Sequence, residues 1–196
     1  MTQIRDLQQI RALASPMRQA IVDTLEAMGP CSVAELAELL DTPADGLYYH
    51  LRILSARHLV AESAEPGPAR VQAVSVPGDP PLRVRYDPAS RANAAAVTRL
   101  VGSMLREALR SFRRAFRPGA VVEGPRRSLW AGRRTAWLTG EELEEVNARI
   151  EALVGYLAER RAWSADGRLY AFTFAVSPFG DGRRRRQVSA RPYAEA

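Results

Sequence analysis

Residues 32–60, SVAELAELLDTPADGLYYHLRILSARHLV, hold two short helical patterns, a break between them and a strand-like end. Ser32 and Glu35 have the spacing of a capping box, and Leu36, Leu39 and Leu40 follow at helical intervals. These signals predict a first helix from Ser32 to about Leu40. Asp41-Thr42 interrupts the pattern. Thr42 can cap the next helix, Pro43 suits its first position, and Asp45 favours the helix dipole from the first turn. A second helix is predicted from Pro43 to about Arg57, and two short helices across so tight a break predict a helix-turn-helix.

On the second helix Leu47, Leu51 and Leu54 share one face, which turns Asp45, Tyr48, Tyr49 and Arg52 outward. Two outward tyrosines beside an arginine suit a surface that reads DNA, although either tyrosine alone could instead pack on a neighbouring helix with its hydroxyl wet. Gly46, with no side chain near the helix start, permits close approach of the backbone to a phosphate. The candidate DNA contacts are therefore Thr42, Asp45, Gly46, Tyr48, Tyr49 and Arg52. LVAESAE and RVQAVSV then read as two strands around PGPA, a hairpin of the kind expected of a wing. Arg70 at its base is a further candidate, for the DNA backbone or minor groove, or else a solvated loop residue.

The stretch LASPMRQAIVDTLEAMGPCSVAELAELL followed by LYYHLRILSARHLV resembles the winged helix-turn-helix of the ArsR family of bacterial transcription regulators. The carrying pattern is a helix start of the form L-x-x-P-x-R, then a second helix ending in H-L-x-x-L before a short strand. His58 stands where the family usually has glycine. The LYYHL form resembles the branch of that family not built around metals. The resemblance implies a DNA-binding regulator and covers residues 11–60. The later stretch SLWAGRRTAWLTGEELEEVNARI resembles, less specifically, the C-terminal regions that accompany such domains in actinobacterial regulators.

Composition points to a soluble cytoplasmic protein. The 196 residues are 46% hydrophobic, enough for one sizeable core or two smaller ones. No run approaches the ~20 apolar residues of a membrane span, and MTQIRDLQQI lacks the apolar centre of a signal peptide. The single cysteine, Cys31, sits just before a helix cap and reads as a packing residue. Net charge is +6, all 28 basic residues being arginine. Its distribution is uneven: residues 1–76 carry six arginines against nine acidic residues, a net of −3, and the remainder carries +9. Phosphate neutralisation would then lean on Arg52, Arg70, Arg83 and Arg85, with the arginines of the following helix.

Before the central stretch, Ile4, Leu7, Ile10 and Leu13 predict an N-terminal helix, and Ser15-Pro16 starts another through Met28. After the Pro-rich connector PGDPPLRVRY, whose LRVRY end could add a strand, Asp87-Pro88 opens a long helix to about Arg117. Val97, Val101, Met104, Ala108 and Phe112 line one side of it as a candidate dimerisation face. Leu100 falls on a flank, and Arg99, Arg106, Arg110, Arg113 and Arg117 lie opposite, as a solvated face or a phosphate rail. Beyond it, SLWAGRRTAWL and RLYAFTFAV alternate like strands. Between them Thr139 and Glu142 form a second capping box for a helix bearing Leu143, Val146, Ile150, Leu153 and Leu157.

The expected fold is therefore α+β: a winged helix-turn-helix over 1–86, a long dimerisation helix over 87–117, a small C-terminal α+β domain over 118–180, and a disordered basic tail over 181–196. Trp130, Trp137, Trp163, Tyr170 and Phe172 concentrate aromatics in the C-terminal domain, as its core or as an effector pocket lined by Trp130, Trp137, Tyr170 and Phe172. Nothing suggests catalysis. The only histidines are His50 and His58, and no nucleophile triad, phosphate loop or zinc spacing occurs, so neither cofactor nor metal is expected. The reading is a homodimeric repressor binding a palindromic operator in double-stranded DNA through the helix at 43–57 and the wing at 59–76. The alternatives are a winged-helix protein-interaction module and a regulator responsive to a small-molecule effector.

Overall fold

The computed structural model describes residues 3–4, 6–64, 69–74, 83–160 and 167–180. The hairpin tip at 65–68, most of the Pro-rich connector, Trp163, Asp166 and the tail from 181 lie outside the described residues. In chain order the elements are β1 (Gln3–Ile4), α1 (Leu7–Leu13), α2 (Pro16–Met28), α3 (Val33–Leu39), α4 (Ala44–Ser55), β2 (Val60–Glu62), β3 (Val71–Ala73), β4 (Arg83–Val84), α5 (Arg91–Ala115) and α6 (Gly140–Ala158).

The core lies in the first hundred residues. Ile10, Ile21, Leu25, Leu36, Leu47, Leu54 and Leu59 are almost fully buried there, and α5 closes it with Ala96 and Leu100. Each helix of this region is stopped by a local device. The α3 carbonyls are closed by Asp41, left-handed at φ 49°, whose N–H donates to Glu38 O at 3.2 Å while Thr42 N donates to Ala37 O at 3.0 Å. This is a Schellman ending with aspartate in place of glycine. The same device ends α4: His58 takes φ 53°, and Leu59 N reaches back to Leu54 O at 3.0 Å. The left-handed helix end thus forms on histidine where the resembled family has glycine.

Strands β2 and β3 pair antiparallel with Val60 opposite Ala73, and Cys31 adds a bridge to Val71 on the other edge of β3. The hairpin is thereby fixed to the segment that leads into α3. A second, parallel pair sets Gln3 against Arg83 and Ile4 against Val84.

Several expectations require correction. Ile4 is not on the first helix: Asp6 caps α1 through Oδ1, which accepts from Gln8 N at 2.9 Å, and Ile4 is buried in the β1–β4 pair. The long helix does not open at Asp87-Pro88. Ser90 caps it, accepting from Asn93 N at 3.2 Å, while Asp87 closes a turn by accepting from Ala89 N at 3.1 Å. Leu100 is no flank residue, for it is buried against the core, and Val97 and Met104 of the candidate dimerisation face pack partly on that same core.

The C-terminal region differs most. Its capping box forms and α6 follows, but SLWAGRRTAWL and RLYAFTFAV form no strands and α6 has no buried residue. Among the described residues, the chain past 118 is a helix with two unpaired segments rather than a packed α+β unit. The reason is that a strand requires a partner for its N–H and C=O groups, and neither segment supplies the other's.

Candidate nucleic-acid interface

The turn between α3 and α4 fixes the aim of α4. Thr42 does not act as its cap: α4 starts one residue too late for it, and its hydroxyl donates instead to Leu40 O at 3.0 Å. Pro43 occupies the cap position instead, and α4 begins at Ala44 and ends at Ser55, two residues short of the expected Arg57. Leu47, Leu51 and Leu54 anchor the helix from below, and Gln9 Nε2 ties α1 to its end by donating to Arg57 O at 2.9 Å.

With one face buried, Asp45, Tyr48, Tyr49 and Arg52 stand on the exposed face at intervals of three, one and three residues. Tyr48 and Tyr49 are 57% and 56% exposed, so neither is absorbed into a neighbouring helix. The Tyr49 ring meets His50 edge-on, centroids 5.3 Å apart. Burial, with Arg18 nearby, holds the His50 imidazole below its usual pKa, and its Nδ1 is buried without a hydrogen-bond partner among the described residues. His50 is therefore a neutral packing residue that props Tyr49 from behind. At Gly46 an added Cβ would meet only Thr42 Cγ2, at 3.7 Å, an ordinary contact. Among the described residues nothing requires glycine there.

Arg70, at the hairpin base, is paired with a carboxylate of α3. Its Nη2 lies 3.2 Å from Glu35 Oε1, and the other oxygen of that carboxylate accepts from Ser32 N at 2.7 Å. One carboxylate thus completes the α3 capping box and holds the hairpin. Its hydrogen bonds with Ser32, then the Arg70 charge, keep it below the usual carboxylate range. Cys31 is buried, and desolvation first, then Glu35, raises its thiol pKa, which leaves it unreactive. Arg57 and His58 are exposed just past α4 and are not among the DNA contacts expected from sequence; the signal was available, two basic-type residues directly after the last turn.

On α5 the arginine stripe is solvated. Glu107 binds both Arg110 and Arg114, while Arg99, Arg106, Arg113 and Arg117 are exposed. Of the candidate effector aromatics, Trp137 is 99% exposed and Trp130, Tyr170 and Phe172 are each at least half exposed, so among the described residues they enclose no pocket. No helix among the described residues is long and apolar enough to cross a membrane.

Among curated proteins none matches the chain. A sequence-family model described as a helix-turn-helix domain matches residues 13–62. That span runs from the end of α1 through β2, so the similarity covers the whole α2–α3–α4 unit and the first hairpin strand, and it assigns to this region a domain type of DNA-binding regulators.

Proposed function

We propose that the protein is a sequence-specific transcriptional regulator, akin to the non-metal branch of the ArsR family, that binds a palindromic operator as a homodimer and represses transcription by occupying it. The domains are 1–86 for DNA binding, 87–117 as the connecting helix and 118–180 for assembly. The observation that carries this reading is the exposed face of α4, where Asp45, Tyr48, Tyr49 and Arg52 project from a helix locked from below. A recognition helix must be rigid and must present side chains capable of reaching base edges; Arg52 supplies the bidentate donor that suits guanine, and the tyrosines supply rings and hydroxyls. The β2–β3 hairpin serves as the wing, and the Arg70–Glu35 pair orients it rather than contacting DNA. Because residues 1–76 are net negative, the phosphate contacts are few and fall to Arg52, Arg57, Arg85 and the start of α5.

Selection of bound sequences from random duplex DNA tests the proposal. Enrichment of a palindrome with half-sites about one helical turn apart is expected. Arg52→Ala should then lower affinity for the selected site by ~1–3 kcal/mol and relax preference at one position of each half-site. No enrichment, with no binding to duplex DNA at low salt, would replace this reading with a protein-interaction module.

A further inference from the structure

The C-terminal region carries apolar surface that one chain leaves uncovered. Helix α6 is held at its start by a full capping box, yet none of its residues is buried. In RLYAFTFAV the period of two sets Tyr170, Phe172, Phe174 and Val176 on one side, and all four are exposed. Among the described residues, none from 129 to 138 or from 168 to 179 makes a backbone–backbone hydrogen bond. The two segments meet where the Arg133 guanidinium lies 5.1 Å from the Phe179 ring centroid.

Charge narrows the choice of occupant. Helix α6 carries Glu141, Glu142, Glu144, Glu145 and Glu151 against Arg149 alone, whereas residues 126–134 hold four arginines and no acid. Among the described residues, none of those arginines forms an ion pair with α6; Arg127 covers the Trp130 ring at 4.2 Å and Arg134 donates to Arg133 O. Glu145 is paired with Arg149 and Glu142 completes the capping box, but among the described residues Glu141 and Glu144 form no ion pair. Opposite charges left at the start of α6 and along 126–134 are what a two-fold contact can match, since each copy brings both. The same axis pairs a segment with its own equivalent in the antiparallel sense, supplying the missing backbone partners.

We infer that residues 126–180 are half of an intersubunit domain, completed by a second copy of this chain whose equivalent segments pair with these and whose 126–134 stretch covers the acidic end of α6. This rests on the homodimeric reading above and locates its interface in the C-terminal segments instead of the α5 face.

Sedimentation equilibrium of the full chain tests it, with circular dichroism reporting the helices. The wild type is expected to be dimeric, and Phe172→Asp to weaken dimerisation at least about tenfold while thermal melting of the reader helices is kept. Arg133→Glu with Arg134→Glu, or Glu141→Arg with Glu144→Arg, should each weaken it roughly threefold to tenfold, and all four together should restore it. A wild type that is dimeric and indifferent to Phe172→Asp overturns this interface but leaves the dimer standing. Failure of the fourfold variant to recover overturns the charge pairing. A wild type monomeric at every concentration overturns the homodimeric reading itself.

Discussion

Two capping boxes in this chain have the same geometry and lead to different outcomes. At α3, Ser32 N donates to Glu35 at 2.7 Å and Glu35 N to Ser32 at 3.2 Å; at α6, Thr139 N donates to Glu142 at 2.7 Å and Glu142 N to Thr139 at 3.2 Å. After the first box, Leu36 is fully buried against α4 and the core. After the second, no residue is buried along the whole of α6. Local hydrogen bonds set where a helix begins, and they act at short range in either region. Burial depends on what the rest of the chain brings alongside. The reader region receives α1, α2 and α5 as neighbours, whereas among the described residues no other helix or strand packs closely on α6.

The largest effect that would test this contrast comes from removing the same side chain in each region. Leu47 has no exposed surface, so Leu47→Ala should cost about 2–5 kcal/mol through lost burial and the cavity left behind. Leu153 is 43% exposed, so Leu153→Ala should cost less than about 0.5 kcal/mol in dilute protein. Its cost should rise with concentration if a second copy covers α6, because association stabilises by mass action. Urea unfolding at two protein concentrations a hundredfold apart separates these outcomes. A Leu153→Ala penalty that is large and independent of concentration would mean that α6 is packed within its own chain.

A smaller effect follows from the caps. Ser32→Ala and Thr139→Ala each remove a hydroxyl acceptor worth ~1 kcal/mol to its helix. In the reader region that loss should appear in global stability, since α3 unfolds with its core. In α6 it should appear as lower helical ellipticity with the main unfolding transition unmoved. Equal shifts of the main transition by both substitutions would show that the two regions unfold as one.

The features that were legible in the sequence are those made by neighbours along the chain. Both capping boxes, the buried Leu47–Leu51–Leu54 face and the hairpin after α4 follow from short spacings, and the structure has them. Where two local signals competed, the sequence did not decide. Thr42 had the chemistry of a cap but α4 starts one residue too late for it, and both Asp87 and Ser90 qualified to start α5. Ile4 fitted a helical stripe and a strand equally, and its strand partner, Val84, lies 80 positions away. The pairing of Arg70 was out of reach for the same reason, its partner being Glu35 on another element. On the candidate site, the outward set on α4 was legible because helical geometry alone places it. The strands of the C-terminal region were legible only as alternation, for the groups that would make them strands are not supplied by the described residues.

The smallest expected effect lies within the reader region, where α5 packs on α2. Asp23 of α2 loses hydration there and stands near the carboxylates of Glu26 and Glu107, and its carboxyl is pushed up to about 7. Glu107 is itself held by Arg110 and Arg114. A carboxyl whose pKa is raised on folding favours the folded state in its protonated form. The contribution is complete below about 4, where the unfolded chain is protonated too, and is lost as pH rises to about 7. Asp23 retains exposed surface, and solvent screening therefore limits the effect to less than about 1 kcal/mol. Asp23→Asn keeps the shape and removes the ionisation, so it should gain stability on the wild type as pH rises from 4 to 7 and hold that gain above it. Urea unfolding of both proteins across that range measures the difference, and a difference independent of pH would mean that neither burial nor the neighbouring carboxylates shift Asp23 on folding.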